Sequence, residues 1–226
     1  MLDQIESFSS KVRNGEFKGY TGKKLKNTVA IGIGGSYLGP EFLIESLRED
    51  KDCKESSKDR TIRFLSNVDP TDFAYACKDL DFEETLFIVN SKTFTTAETM
   101  LNARTMKAAI IDHYKASYPD EDPKNFIKHH FAACSTNLEE TDNFGINSEN
   151  VFAFWNWVGG RFSVTSCVGI LTSSLHYGFE QSIRFLQGAR SIDLHLLENR
   201  ANPLQSIPAM MSLIAFYHVH ICGYEC

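Results

Sequence analysis

Val29–Leu47 reads VAIGIGGSYLGPEFLIESL: an apolar run from Val29 to Ile33 gives way to glycines and then to a helical pattern with Leu43 and Leu47 on one face. Pro40 suits the first turn of that helix, so the stretch is strand, turn, helix. Working outward, the same unit recurs. Ile62–Leu65 is strand-like, Asn67-Val68-Asp69-Pro70 is a turn, and Phe73–Leu80 is helical. Leu86–Val89 is a buried strand, and Ser91–Phe94 is a turn. Thr95-Thr96-Ala97-Glu98 then reads as a capping box opening a helix that reaches about Tyr114. His130–Cys134 and Val151–Phe154 supply two more strands, followed by the turns Ser135-Thr136-Asn137 and Gly159-Gly160-Arg161. Strands alternating with helices predict an α/β fold with a five-stranded parallel sheet covered on both faces. In such sheets ligands bind beyond the carboxyl ends of the strands.

The remaining segments are helical or connecting. Residues 1–28 form a short helix, with Ile5, Phe8 and Val12 on one side, and then a loop. Arg48–Arg60 reads as a solvated connector. Helices run from Thr165 to about Leu186 and from about Pro203 to Tyr217, the latter with Met210, Leu213, Ile214 and Tyr217 together.

Composition narrows the function. Apolar residues make 42% of the chain and charged residues 23%, which excludes a disordered or fibrous protein. The net charge of -6, without any Lys/Arg tract, argues against nucleic acid as a partner. Cys53, Cys77, Cys134, Cys167, Cys222 and Cys226 are scattered and contain no C-x-x-C pair, so they read as reduced thiols. With neither a leader pattern nor a membrane-length apolar run, the reading is cytoplasmic and not membrane-bound. His218 and His220 lie near Cys222 and Cys226, but they alternate with Phe216, Tyr217, Val219 and Ile221. The stretch therefore reads as an ordinary buried segment rather than a metal site.

Three turns carry phosphate chemistry. In Gly32–Pro40 the glycines admit an anion to the backbone, Ser36 adds a hydroxyl, and the helix that follows points its positive end there. The turn fits neither a dinucleotide fingerprint, because Tyr37 stands where glycine is needed, nor a P-loop, because Pro40-Glu41 replace Lys and Ser/Thr. Ser91-Lys92-Thr93-Phe94-Thr95-Thr96 gathers four hydroxyls and one cation. Trp157–Ser163 sets Arg161 behind two glycines, where its fork of donors can stabilise developing oxygen charge. The bland alternative for Arg161 is a structural salt bridge.

Gly19–Gly22, Gly32–Pro40, Ser91–Thr99 and Asn156–Gly169 together resemble the glucose-6-phosphate isomerase family, in its order. The resemblance implies a three-layer sugar isomerase (SIS) fold: residues 1–28 a helix and loop, 29–186 a first SIS domain, and 187–226 a helical connector before a second. It implies interconversion of glucose 6-phosphate and fructose 6-phosphate through a cis-enediolate, without cofactor or metal, by a homodimer. It places the phosphate at Ser36, Ser91, Lys92, Thr93 and Thr96, and the sugar carbons beside Gly160 and the catalytic Arg161. The family's base glutamate lies in a Glu-Ser-Asn-Gly-Lys type motif that this sequence lacks, and its ring-opening histidine and late lysine have no counterparts either. The chain is therefore expected to be an internal part of such an enzyme, inactive alone. Two further classes stay open at this point: a sugar-phosphate-sensing SIS domain, for which Arg161 is superfluous, and a nicotinamide dehydrogenase, disfavoured by Tyr37.

Overall fold

In the computed structural model, which describes residues 1–199 and 206–224, five parallel strands form one sheet in the order β2-β1-β3-β4-β5. They are β1 (Asn27–Ile31), β2 (Thr61–Leu65), β3 (Thr85–Asn90), β4 (Phe131–Cys134) and β5 (Val151–Phe152). All five lie where the apolar runs predicted them. Every residue of β3 is buried, as a central parallel strand between two helical layers requires.

One layer consists of α4 (Pro70–Cys77), α5 (Ala97–Lys115) and α6 (Pro123–His130). Their Met100, Met106, Ile110 and Phe126 pack with Val29, Ile31, Phe87 and Val89 of the sheet. The other layer holds α1 (Leu2–Asn14), α2 (Gly35–Leu47) and α8 (Cys167–Tyr177), which pack on one another. Also present are α3 (Lys51–Ser56) and α7 (Leu138–Phe144). The chain divides into two compact units, Met1–Ser182 and Ile183–Cys226. The second contains most of α9 (Phe179–Glu198) and α10 (Ile207–Phe216).

Several sequence expectations need correction. The first helix after β1 begins at Gly35, so Pro40 sits inside it rather than in its opening turn. The low helix propensity of Gly35 and Gly39 hid those first residues. The stretch Arg48–Arg60 contains α3, whose N-cap Asp50 accepts from the Asp52 and Cys53 amides and which buries Cys53. No capping box opens α5: Thr96 is the N-cap, but its hydroxyl makes no cap bond, and the Thr95 hydroxyl donates to Thr93 Oγ1 at 2.8 Å instead. The helix expected from Thr165 to Leu186 is broken at Gly178, whose φ of 94° and ψ of 154° no helix accommodates. Residues Gly160–Thr165 form a 3₁₀ stretch before it. His218 and His220 lie on an exposed π-helical turn, not in a buried segment. Pro203 and Cys226 fall outside the described residues.

A buried histidine ties the N-terminal loop to the sheet. His130, at the end of α6, bonds the Thr85 carbonyl through Nδ1 at 2.8 Å. Its Nε2 meets the Tyr114 hydroxyl at 2.8 Å and the Tyr20 amide at 3.1 Å. A carbonyl can only accept, so Nδ1 carries the proton, Nε2 accepts, and the ring is neutral. Burial pushes its pKa down to about 4, against a smaller opposing pull from the Thr85 carbonyl. The folded state thus refuses a proton that the unfolded chain accepts near pH 6.5. This stability is complete above that pH, drains away as pH falls toward 4, and is gone below it. We expect denaturant titrations at pH 7.5 and pH 4 to differ by about 3 kcal/mol on this account. His130→Gln should remove most of that difference, and an unchanged pH slope in the variant would contradict the assignment.

Candidate functional site

Strand order 2-1-3-4-5 reverses direction between β1 and β3, because the chain leaves β1 toward β2 and returns on the other side to β3. The helices that follow, α2 and α5, cover opposite faces, so their first turns part and leave a crevice at the carboxyl ends of β1 and β3. Two of the three phosphate-ready turns open into this crevice, and the third is drawn onto it.

The first turn is set by Gly34, the N-cap of α2, at φ 53° and ψ -128°, a region closed to residues with a Cβ. This bend aims the positive end of a 13-residue helix past Ser36 into the crevice. Ser36 is half-buried and its hydroxyl makes no hydrogen bond among the described residues.

The second turn departs from β3 and is braced from below. Ser91 N–H donates to Cys134 O at 3.1 Å. The carbonyl of Lys92 accepts from Ser135 Oγ at 3.1 Å, Thr136 N at 2.9 Å and Thr136 Oγ1 at 2.7 Å. Asn137 Nδ2 donates to Thr93 O at 3.0 Å. The turn Ser135-Thr136-Asn137 is thus the support of the site, a role that its own composition did not reveal. Phe94 lies at φ 56°, a strained left-handed conformation for an aromatic residue, and is held there by burial against Phe144 with centroids 5.7 Å apart. Such strain costs about 1–3 kcal/mol and gathers at ligand clamps. It leaves Thr93 exposed and Thr96 half-buried at the start of α5, while Ser91 Oγ is buried without a partner.

The third turn joins the other two. A Cβ built on Gly35 would lie 2.2 Å from the carbonyl oxygen of Gly160, so the two backbones touch. Ser163 Oγ locks this contact by donating to Gly160 O at 2.7 Å and Gly35 O at 3.3 Å. Lys92 Nζ reaches from the second turn to the carbonyls of Asn156 and Val158, the latter at 3.2 Å, and keeps one N–H free for an anion. Arg161 is exposed and forms no ion pair among the described residues, so the salt-bridge alternative is not realised there. The exposed indoles of Trp155 and Trp157 stack at 5.6 Å beside this turn. Ser36, Ser91, Lys92, Thr93, Thr96, Gly160 and Arg161 therefore all lie on three mutually braced turns at one end of the sheet.

The model of the phosphoglucose isomerase family matches residues 1–226. The chain belongs to this family. It is 50% identical over 222 residues to a cytosolic glucose-6-phosphate isomerase of Oryza sativa subsp. japonica, covering 98% of this chain and 37% of that protein. It is 48% identical over 225 residues to the cytosolic glucose-6-phosphate isomerase of Arabidopsis thaliana, covering 99% and 38%. The crystal structure of a glucose-6-phosphate isomerase from Chlamydia trachomatis D/UW-3/Cx superposes with a TM-score of 0.75 at 28% identity, over 99% of this chain and 38% of that one. The chain thus spans little more than a third of the length of these family members. No described helix is long and apolar enough to cross a membrane.

Proposed function

We propose that this chain holds the sugar-phosphate-binding part of a cytosolic, homodimeric aldose–ketose isomerase that interconverts glucose 6-phosphate and fructose 6-phosphate. The observation that carries the reading is the junction of Gly35 with Gly160 together with the reach of Lys92 to Asn156 and Val158, which gathers every candidate residue around one crevice. The α2 N-terminus, the hydroxyls of Ser36, Ser91, Thr93 and Thr96, and the third N–H of Lys92 hold the phosphate. Gly160 and Arg161 then lie beside the first sugar carbons. A base takes the proton from C2 of the open aldose, charge develops on the oxygens of C1 and C2, and the proton returns to C1. Arg161 stabilises that charge with its planar fork of N–H donors. Proton transfer of this kind needs neither metal nor redox cofactor.

General acid–base groups contribute about 10²- to 10⁴-fold each, and the base motif is absent from this sequence. The chain alone is accordingly expected to bind substrate without turning it over. Calorimetric titration with fructose 6-phosphate tests the assignment. Lys92→Ala should weaken binding about 10- to 100-fold, the value of a charge-assisted bond to an anion. Unchanged affinity in a folded Lys92→Ala variant would reject this phosphate site.

A further inference from the structure

Asn90 closes β3 and is 1% exposed, yet neither Oδ1 nor Nδ2 of its carboxamide has a partner. An unpaired buried amide is among the costlier features a core can carry, and each instance asks for a cause. Its place in the sheet supplies one. β1 and β3 run side by side with Ile31 opposite Val89, so Gly32 follows beside Asn90. Ile31 and Val89 belong to the core beneath α4, α5 and α6. Alternation therefore turns Asn90 and Gly32 to the opposite face, that of α2 and α8.

The first turn of α2 rests on this spot. A Cβ on Gly32 would lie 3.0 Å from Ser36 Cβ and 3.1 Å from Asn90 O. On the other flank β4 sets Cys134 opposite Asn90, and a buried thiol is a weak hydrogen-bonding partner. Gly32 offers no side chain at all. Ser36, whose Cβ borders Gly32 beside Asn90, carries a hydroxyl that makes no hydrogen bond among the described residues.

We propose that Asn90 is a positioning residue of the anion cradle, its carboxamide supporting the Ser36 hydroxyl from beneath. When an anion occupies the α2 N-terminus, Nδ2–H donates to Ser36 Oγ, and the hydroxyl proton is thereby turned toward that oxyanion. The inference rests on the sugar-phosphate reading above. Because the fold itself gives the carboxamide no partner, removing it should not weaken the fold, and its loss should be felt only when an anion binds.

The test titrates the chain with fructose 6-phosphate as wild type, Asn90→Ala, Ser36→Ala and the double variant, with the Tm of each. Asn90→Ala is expected to keep its Tm within about 2 °C and to bind about 3- to 10-fold more weakly. The double variant should bind no more weakly than Ser36→Ala, since Asn90 acts through Ser36. A larger fall in Tm for Asn90→Ala marks a structural role and overturns the proposal whatever the affinity. Additive losses in the double variant, or unchanged affinity in Asn90→Ala, overturn it while leaving the sugar-phosphate reading intact. A wild-type chain that does not bind overturns both.

Discussion

Gly35→Ala is expected to abolish sugar-phosphate binding and to destabilise the fold by about 3 kcal/mol, the upper end of overpacking costs. Its new methyl would lie 2.2 Å from the Gly160 oxygen and 2.3 Å from the Gly160 carbonyl carbon. Both are backbone atoms, which cannot swing aside as a side-chain tip can. Relief requires the two turns to part, which breaks the Ser163 bridge to Gly35 O and Gly160 O and moves Arg161 away from Ser36. The partner glycine behaves differently. A Cβ on Gly160 meets nothing closer than Gly35 Cα at 3.9 Å, an ordinary contact. In a thermal melt, Gly35→Ala should lower the Tm by about 6–12 °C, while Gly160→Ala shifts it by less than about 2 °C. Equal shifts for the two would show that the turns do not meet as described.

Phe126→Ala carries the largest expected cost to stability, about 3–5 kcal/mol. Phe126 is 0% exposed, stacks on Tyr114 at 4.9 Å and meets the edge of Tyr20 at 4.8 Å. Truncation would leave a cavity in the aromatic cluster that seats the N-terminal loop against α5 and α6. Phe162, 67% exposed, is the matched control: its replacement by alanine should stay within about 0.5 kcal/mol. Denaturant midpoints for the two variants decide the matter, and a mild Phe126→Ala would mean that α6 is not docked.

How much of this was legible in the sequence follows from the same particulars. The five strands were readable because central parallel strands such as β3 are buried on both faces and appear as unbroken apolar runs. Helix α6 was missed, since its inner face consists of the adjacent pair Phe126-Ile127 and His130, and a buried neutral histidine looks polar on the page. A signal was nevertheless present. Asp122-Pro123 repeats the Asp69-Pro70 cap that opens α4, and in both the aspartate accepts an amide two residues on. The break at Gly178 was hidden because the apolar pattern continues across it, and only the backbone angles reveal it.

The site was legible as chemistry but not as geometry. Glycines, hydroxyls, Lys92 and Arg161 announced three anion-ready turns. What could not be read was that Gly35 would touch Gly160, or that Ser135-Thr136-Asn137 would hold the Lys92 turn from below. Contacts between residues so distant in the chain arise from strand order, which local pattern does not specify. Thr96 illustrates the difference. The capping box in the sequence made Thr95 the cap, whereas in the structure Thr96 stands at the N-cap with its hydroxyl making no cap bond and Thr95 bonds Thr93 instead.

The central claim is that the converged turns bind a sugar phosphate through its phosphate. Its most direct test is calorimetric titration of the chain with fructose 6-phosphate, with unphosphorylated fructose and NAD as controls. The account predicts saturable binding of fructose 6-phosphate that inorganic phosphate displaces, and no binding of fructose or NAD. Equal binding of fructose and fructose 6-phosphate, or no binding of either by the folded chain, would contradict it.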